Sequence, residues 1–251
     1  AHGYIAKKKG TPEALRKVGA GDTASIAGQP IAGCLAVPCY SFDGTLQTLQ
    51  FIPPEGQKLN MPAASFNDGF FTVGTIADRV YIVEGIGQAW AINQATGKAA
   101  VVCFGAGRMA TVARLLRAKY PAASLVIVPD RGKENQAAAI AADVAGQWIE
   151  MPSYKPANYD ANDLLQELGM GALSHLLEHP QSPSMRFKLL SGADLYNAAP
   201  MRWMVRGVLP VEGLAALFGA SGSGKSFLML DIGCAVAGGD YEWFGRRVTQ
   251  C

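Results

Sequence analysis

The sequence predicts an α/β protein: a parallel sheet flanked by helices, preceded by a small α+β segment and followed by the start of a phosphate-loop domain. Three observations carry that prediction. Between residues 79 and 151, short apolar runs alternate with helix-length segments, which is the pattern of βα units. Residues 1–78 are rich in Gly and Pro and hold short alternating segments. Residues 219–226 read GASGSGKS and fit GxxxxGK[ST] in full.

Composition is consistent with this plan. The 251 residues are more than one average domain needs and suit two. With 49% hydrophobic and 17% charged residues, the chain can build a sizeable core and is not a disordered polymer. A net charge of +2 gives no global argument for nucleic acid. Local basic runs, Lys7-Lys8-Lys9 and Arg16-Lys17, read either as solvated surface or as a phosphate-contacting patch. Cys34, Cys39, Cys103, Cys234 and Cys251 form no CxxC pair or zinc-spaced cluster, so a reducing, cytoplasmic setting is expected rather than a disulfide framework. No apolar run reaches membrane-spanning length and no signal-peptide pattern opens the chain, so no membrane partner is expected. The chain starts at Ala and stops just after GRRVTQ, which suggests a piece of a longer protein.

The elements follow in order. CLAVPCY and LQTLQFI read as strands joined by SFDGT, a hairpin signal, and IPPEGQKLNMP is turn-rich. RVYIVEG is an apolar strand ending at Glu84-Gly85. IGQAWAINQATG is a helix stopped by Gly97. AAVVCFGAG is a second strand, and RMATVARLLRAKY a helix with Met109, Val112, Leu115 and Leu116 on one face. SLVIV is a third strand, ending at Pro129-Asp130, ENQAAAIAADVAG a helix, and QWIEM a fourth strand. NDLLQELGMGALSHLLEH is a further helix, and PQSPSMR a linker. From about residue 201 a new unit begins, with a strand over 214–218, the glycine-rich loop and a helix over 227–236.

Two groups of residues carry chemistry. In Gly219-Ala220-Ser221-Gly222-Ser223-Gly224-Lys225-Ser226 the glycines let backbone N–H groups wrap phosphates, Lys225 reaches the β- and γ-phosphates of ATP, and Ser226 is placed for Mg²⁺. Asp231 lies inside the following helix and cannot act as the later acidic residue that hydrolysis needs, so this chain alone is not expected to be a competent ATPase. The second group is acidic. Glu84 and Asp130 end neighbouring strands of a parallel sheet, at the edge where active sites form. Asp160 and Asp163 follow the fourth strand and are expected to approach the same edge, where oxygen ligands suit Mg²⁺ or Mn²⁺; Asp160 or Asn162 is also a candidate helix cap.

These residues carry a family resemblance. YIVEGIGQAWAINQATGKAAVVCFGAG, LVIVPD and YDANDLL together resemble a Toprim domain, the metal-binding fold of primases and topoisomerases, in the variant of phage and plasmid primase–helicases. CLAVPCYSFDGTLQTLQFIPPEGQKLNMP is similar to the primase-core segment before Toprim in those proteins. Trp203, Val205, Gly207, Leu209 and Pro210, with the phosphate loop and the later WFG, resemble the start of a RecA-like replicative helicase domain. The expected organisation is a basic primase-core segment over 1–78, Toprim over 79–170, helix and linker over 171–200, and an incomplete ATPase domain over 201–251.

The resemblance implies Glu84 as acid/base or metal ligand, Gly85 as its paired glycine, Asp130 as the first Asp of D-x-D, and Asp160 and Asp163 as the later acidic pair. Lys58, Arg108 and Arg131 are then candidates to meet phosphate. Two positions depart from the family pattern: Gly132 stands where the second Asp belongs, and Gln88 where some members carry Asp. Glu134 is either a compensating acid or an ordinary helix start. The leading expectation is a DNA replication protein joining Mg²⁺-dependent primer synthesis on single-stranded DNA, from nucleoside triphosphates, to an ATP-driven helicase that assembles as a hexamer. The alternatives are a non-catalytic Toprim module that binds DNA or partners and docks the helicase, and a Toprim nuclease beside an ATPase. A small-molecule kinase gains no support from the acidic unit.

Overall fold

In the computed structural model, residues 2–66, 68–183, 192, 196–197 and 201–249 are described. The chain divides into two units, Ala1–Met185 and Arg186–Cys251, each treated by itself. The predicted linker PQSPSMR begins at residue 180 and runs into positions outside the described residues.

Near-continuous apolar runs require a sheet covered on both faces. In the first unit that sheet has five strands in the order β11-β10-β8-β9-β7. These are β7 (Phe71–Val73), β8 (Arg79–Val83), β9 (Ala99–Val102), β10 (Ser124–Ile127) and β11 (Gln147–Trp148), parallel except for β7 at one edge. Side chains alternate between two cores. Tyr81, Val83, Ala100, Val102 and Val126 face one; Val80, Ile82, Val101, Leu125 and Ile127 face the other. After β8 the chain steps one way to β9, then back across β8 to β10. Right-handed crossovers taken in opposite directions place their helices on opposite faces. Accordingly α2 (Ile86–Thr96) packs with α5 (Ala161–Glu178) on the first core, while α3 (Met109–Lys119) and α4 (Glu134–Asp143) cover the second. The reversal leaves a switch point between the carboxyl ends of β8 and β10, where ligands bind in open α/β sheets.

The N-terminal segment forms a second sheet, in the order β1-β4-β5-β6 and antiparallel: β1 (Arg16–Lys17), β4 (Leu35–Tyr40), β5 (Leu46–Ile52) and β6 (Leu59–Asn60). A small ribbon, β2 (Ser25–Ile26) with β3 (Gln29–Pro30), lies between β1 and β4 in the chain. The predicted hairpin is present. Asp43 accepts from the Thr45 N–H, Ser41 N–H donates to the Thr45 carbonyl, and Gly44 takes φ +84°. Leu35, Val37 and Cys39 point into the main core and Ala36 into a separate one, so this sheet is packed onto the α/β layer.

A short helix, α1 (Gly3–Lys8), is capped by the His2 ring. Beyond it, Gly10 passes so close to Trp90 that a Cβ there would lie 2.1 Å from a ring carbon. Gln94 and Asn162 donate to the carbonyls of Lys9 and Lys8. These contacts bring α1 to the switch point.

The helix predicted from Asn162 forms, but it kinks at Gly169, whose φ of +85° is non-helical. In the second unit, hairpins β12 (Trp203–Val205) with β13 (Leu209–Pro210) and β14 (Glu242–Trp243) with β15 (Arg246–Arg247) accompany α6 (Lys225–Gly238). The strand expected over 214–218 is not formed among the described residues. Parallel strands need a neighbour to pair with, and Leu214 and Phe218 are fully or nearly fully exposed. Among the described residues, no helix is long and apolar enough to cross a membrane. Cys34, Cys39, Cys103 and Cys234 are free thiols.

Candidate active site

Glu84 follows β8 directly, and Asp130 follows β10 across Val128-Pro129, so adjacent strand ends present two carboxylates. Both meet one side chain, Lys133. Its Nζ donates to Glu84 Oε2 and to Asp130 Oδ2, each at 2.8 Å. Burial lowers the pKa of Lys133, but the hydrogen bonds to Asp130 and Glu84 outweigh it and leave the ammonium pKa raised. Gln88, near the start of α2, closes the arrangement from the other side. Its amide donates to the second Asp130 oxygen, and its carbonyl accepts from the Glu84 N–H.

A tight turn brings Lys133 back. Its N–H donates to the Asp130 carbonyl at 3.0 Å, and Gly132 has φ +95°, as the third residue of a type II turn requires. There is open space where a Gly132 side chain would go, so the restriction is in the backbone. Gly132→Asp is therefore expected to strain the turn by about 1–2 kcal/mol, lowering the melting transition of the first unit by about 2–8 °C. Thermal unfolding followed by circular dichroism checks this; an unchanged or raised transition contradicts it.

A cavity of about 140 Å³ opens beside the pair, lined by Tyr4, Lys58, Glu84, Gly85, Gly87, Gln88, Asp130 and Asp160. The Lys58 ammonium comes within 3.0 Å of where a Gly85 Cβ would stand, an approach the bare glycine permits. Burial lowers the Lys58 pKa, against the pull of Glu84, Asp160 and Asp130. Burial, aided by Asp160 and Asp163, pushes the Tyr4 hydroxyl up to about 12, so it faces the cavity as a hydrogen-bond donor at neutral pH.

The later acids have other partners. Asp160 caps α5 and accepts from the Asp163 N–H at 2.8 Å, while Asp163 accepts from the Asp160 N–H at 3.1 Å, a reciprocal capping box. Lys8 reaches both, at 3.8 Å and 3.3 Å. Burial raises the Asp160 pKa, with Lys8 opposing. Among the described residues, no group of three or more acidic, His or Cys side chains is arranged to hold a metal ion. Of the four acids expected at one edge, Glu84, Asp130 and Asp160 line the same cavity, while Asp163 is engaged in the capping box and with Lys8.

Two arginines expected at phosphates are occupied elsewhere. Arg108 donates to the carbonyls of Cys103, Phe66 and Gly69 and lies over the Phe66 ring, pinning the segment before β7 to the end of β9. Arg131 pairs with the buried Glu134 carboxylate and donates to the Ser153 carbonyl. Glu134 also accepts from the Gly132 N–H, so it supports the turn and the start of α4 rather than adding a third ligand. Lys133 and Tyr4 carry no assignment in the sequence; Lys8, read there within a basic run, is instead paired with Asp160 and Asp163, and Gln88, read as standing in place of an acid, joins Glu84 to Asp130. The available signal was spacing: Gln88 lies four residues after Glu84 on a helix start, and Lys133 three after Asp130 across a glycine turn.

The Glu84–Asp130 pair suits one hard divalent cation. Mg²⁺ takes one or two carboxylates and completes its shell with water and substrate phosphates, and these two oxygens already share one positive group.

In the second unit, Gly224 (φ +79°) caps α6, and Gly222 also has positive φ (+77°). The Lys225 ammonium donates to the loop carbonyls of Gly219 and Ala220. An open concavity of about 630 Å³ is lined by Ser223, Gly224, Lys225, Phe227 and Asp231, among others. Asp231 accepts from the Trp243 indole of the WFG segment at 2.7 Å. Gly219, Ser221, Gly222, Ser223 and Gly224 form the loop that leads into α6, with Lys225 and Ser226 in its first turn, where a phosphate group could be held.

The fold sets a class: a parallel sheet with two carboxylates at its switch point, followed in the chain by a glycine-rich loop and helix. Residues 79–171 match the family model described as Toprim domain, and residues 180–251 match that described as AAA domain. Two relatives, both DNA primase TraC of Escherichia coli, are 31% identical over 105 residues (40% of this chain, 10% of that protein) and 26% identical over 136 residues (48% and 9%). The matches span about a tenth of those relatives' length. Among solved structures, the DnaG primase catalytic domain bound to ssDNA aligns with a TM-score of 0.54 at 15% identity, covering 72% of this chain and 71% of that one. The DnaG catalytic core aligns with 0.53 at 17%, covering 72% and 73%. At such identities the likeness is one of fold.

Proposed function

We propose that this chain is the primase part, and the start of the helicase part, of a DNA replication protein that makes primers and unwinds DNA. The observation that carries this reading is the convergence of Glu84 and Asp130 on a single cation, at the switch point of a primase-like sheet. Glu84 and Asp130 would hold one Mg²⁺ or Mn²⁺. Bound there, the metal neutralises phosphate charge and favours in-line attack of a primer hydroxyl on a nucleoside triphosphate. Lys58, which lines the same cavity, would meet the triphosphate, and Tyr4 would offer a hydroxyl donor. Asp160, Asp163 and Lys8 fix the start of α5 and the cavity wall. The basic N-terminal segment, with Lys7 and Lys9 exposed, suits the backbone of a single-stranded template. In the second unit Gly219–Ser226 would bind ATP, and hexamer assembly belongs to the whole ATPase domain.

Lys133 gives a second reading its support. With an ammonium already on the carboxylates and Gly132 in place of an acid, the domain is also consistent with a non-catalytic module that binds DNA and docks the helicase. A template-directed assay separates the two. Single-stranded DNA, labelled nucleoside triphosphates and Mg²⁺ should yield short labelled primers. Absence of product from a protein that binds Mn²⁺ would favour the docking module, and cleavage of the template would favour a nuclease.

A further inference from the structure

We propose that Lys133 is a tethered competitor for the divalent cation: its ammonium holds Glu84 and Asp130 together in the metal-free protein and must leave before a metal can bind. The inference rests on the reading that this pair is the metal site.

The geometry supports it in three ways. First, Nζ lies 2.8 Å from one oxygen of each carboxylate, which is the place a bridging cation would take. Both oxygens cannot keep that ammonium and also coordinate an ion between them. Second, Asp130 is only 12% exposed, and its other oxygen is taken by the Gln88 amide, so it has little room to serve both cations. Third, the turn that delivers Lys133 is built for it: Gly132 supplies the positive φ, and Glu134 receives the Gly132 N–H. The D-x-G-K segment thus removes one acid and adds one fixed cation at the same edge. Once the ammonium withdraws, Glu84 and Asp130 carry a charge of −2, which one divalent ion balances.

A consequence is an order of events. A bare divalent ion must displace Lys133 in exchange for two carboxylates. An ion arriving on a nucleoside triphosphate brings its phosphate ligands with it, and those phosphates also offer the released ammonium an anionic partner. The competitor therefore favours the metal–nucleotide complex over the free metal.

Isothermal titration of Mn²⁺ into the chain and into Lys133→Met tests this. The variant keeps the length of the side chain and removes its charge. It should bind Mn²⁺ about tenfold more tightly than the parent, the scale set by removing one partly exposed competing cation. Without metal it should melt at a lower temperature, because two carboxylates then face each other unneutralised, and saturating Mn²⁺ should close that gap. Lys133→Arg keeps the charge and should bind as weakly as the parent, a comparison that holds if the Met variant folds poorly. Equal or weaker binding by Lys133→Met overturns the proposal while leaving the metal site standing. No binding by either protein overturns the metal site as well. Asp130→Asn placed on Lys133→Met should abolish the tight phase; its persistence would put the ion elsewhere and overturn both.

Discussion

Asp130→Asn is expected to lower primer synthesis by about 10²–10³-fold, the loss that follows when a metal worth several kcal/mol to the transition state loses one of two carboxylates. The substitution keeps shape and removes charge. Asp130 now accepts from both Lys133 and Gln88 at the end of β10. With Asn there, Lys133 keeps Glu84 alone and the amide of Gln88 loses a charged acceptor. The fold should survive, since Val126, Ile127 and Val128 stay buried in the two cores. Glu84→Gln should act in the same direction, because it removes the other carboxylate. The comparison to make is initial rate of primer formation at saturating Mg²⁺, beside a circular dichroism spectrum. An intact spectrum with a rate within threefold of the parent would show that the chemistry does not pass through this pair.

Lys225→Ala is expected to weaken nucleotide binding to the second unit by about 10–100-fold, from the loss of one or two charge-assisted contacts to phosphate. In this structure Lys225 donates to the carbonyls of Gly219 and Ala220, so it must exchange those partners for phosphate oxygens when nucleotide enters. That exchange costs the parent part of its affinity and is absent from the variant, which is why the expected factor is moderate. Fluorescence titration with a labelled ATP analogue measures it directly. Equal affinities would mean the loop holds the nucleotide through backbone N–H groups alone.

The sequence made the positions of Glu84 and Asp130 legible because strand ends can be read from apolar runs, and strand order in βα units is constrained by handedness. The phosphate loop was legible because its glycines and Lys225 must sit at fixed spacing. The partners were harder to read. Lys133 reaches the carboxylates only because Gly132 turns the chain back, and a backbone angle is not written in residue type alone. Gln88 reads in the sequence as an absent acid, whereas in the fold its amide joins Glu84 to Asp130. Asp160 and Asp163 have two local roles open to them, and the capping box wins because the helix start offers unpaired N–H groups. Arg108 and Arg131 look like phosphate contacts by charge. Backbone carbonyls at Cys103, Phe66 and Gly69 claim the first, and buried Glu134 claims the second. The predicted strand over 214–218 has the right composition, but pairing depends on a partner that composition cannot supply.

As proposed above, Glu84 and Asp130 would form a single-cation site from which Lys133 withdraws. The most direct measurement is a crystal structure of the protein soaked in Mn²⁺, with anomalous scattering collected near the manganese edge. One anomalous peak between Glu84 and Asp130, with the Lys133 ammonium moved off both carboxylates, is the predicted result. No peak at high Mn²⁺, with Lys133 still bridging the pair, would contradict the claim.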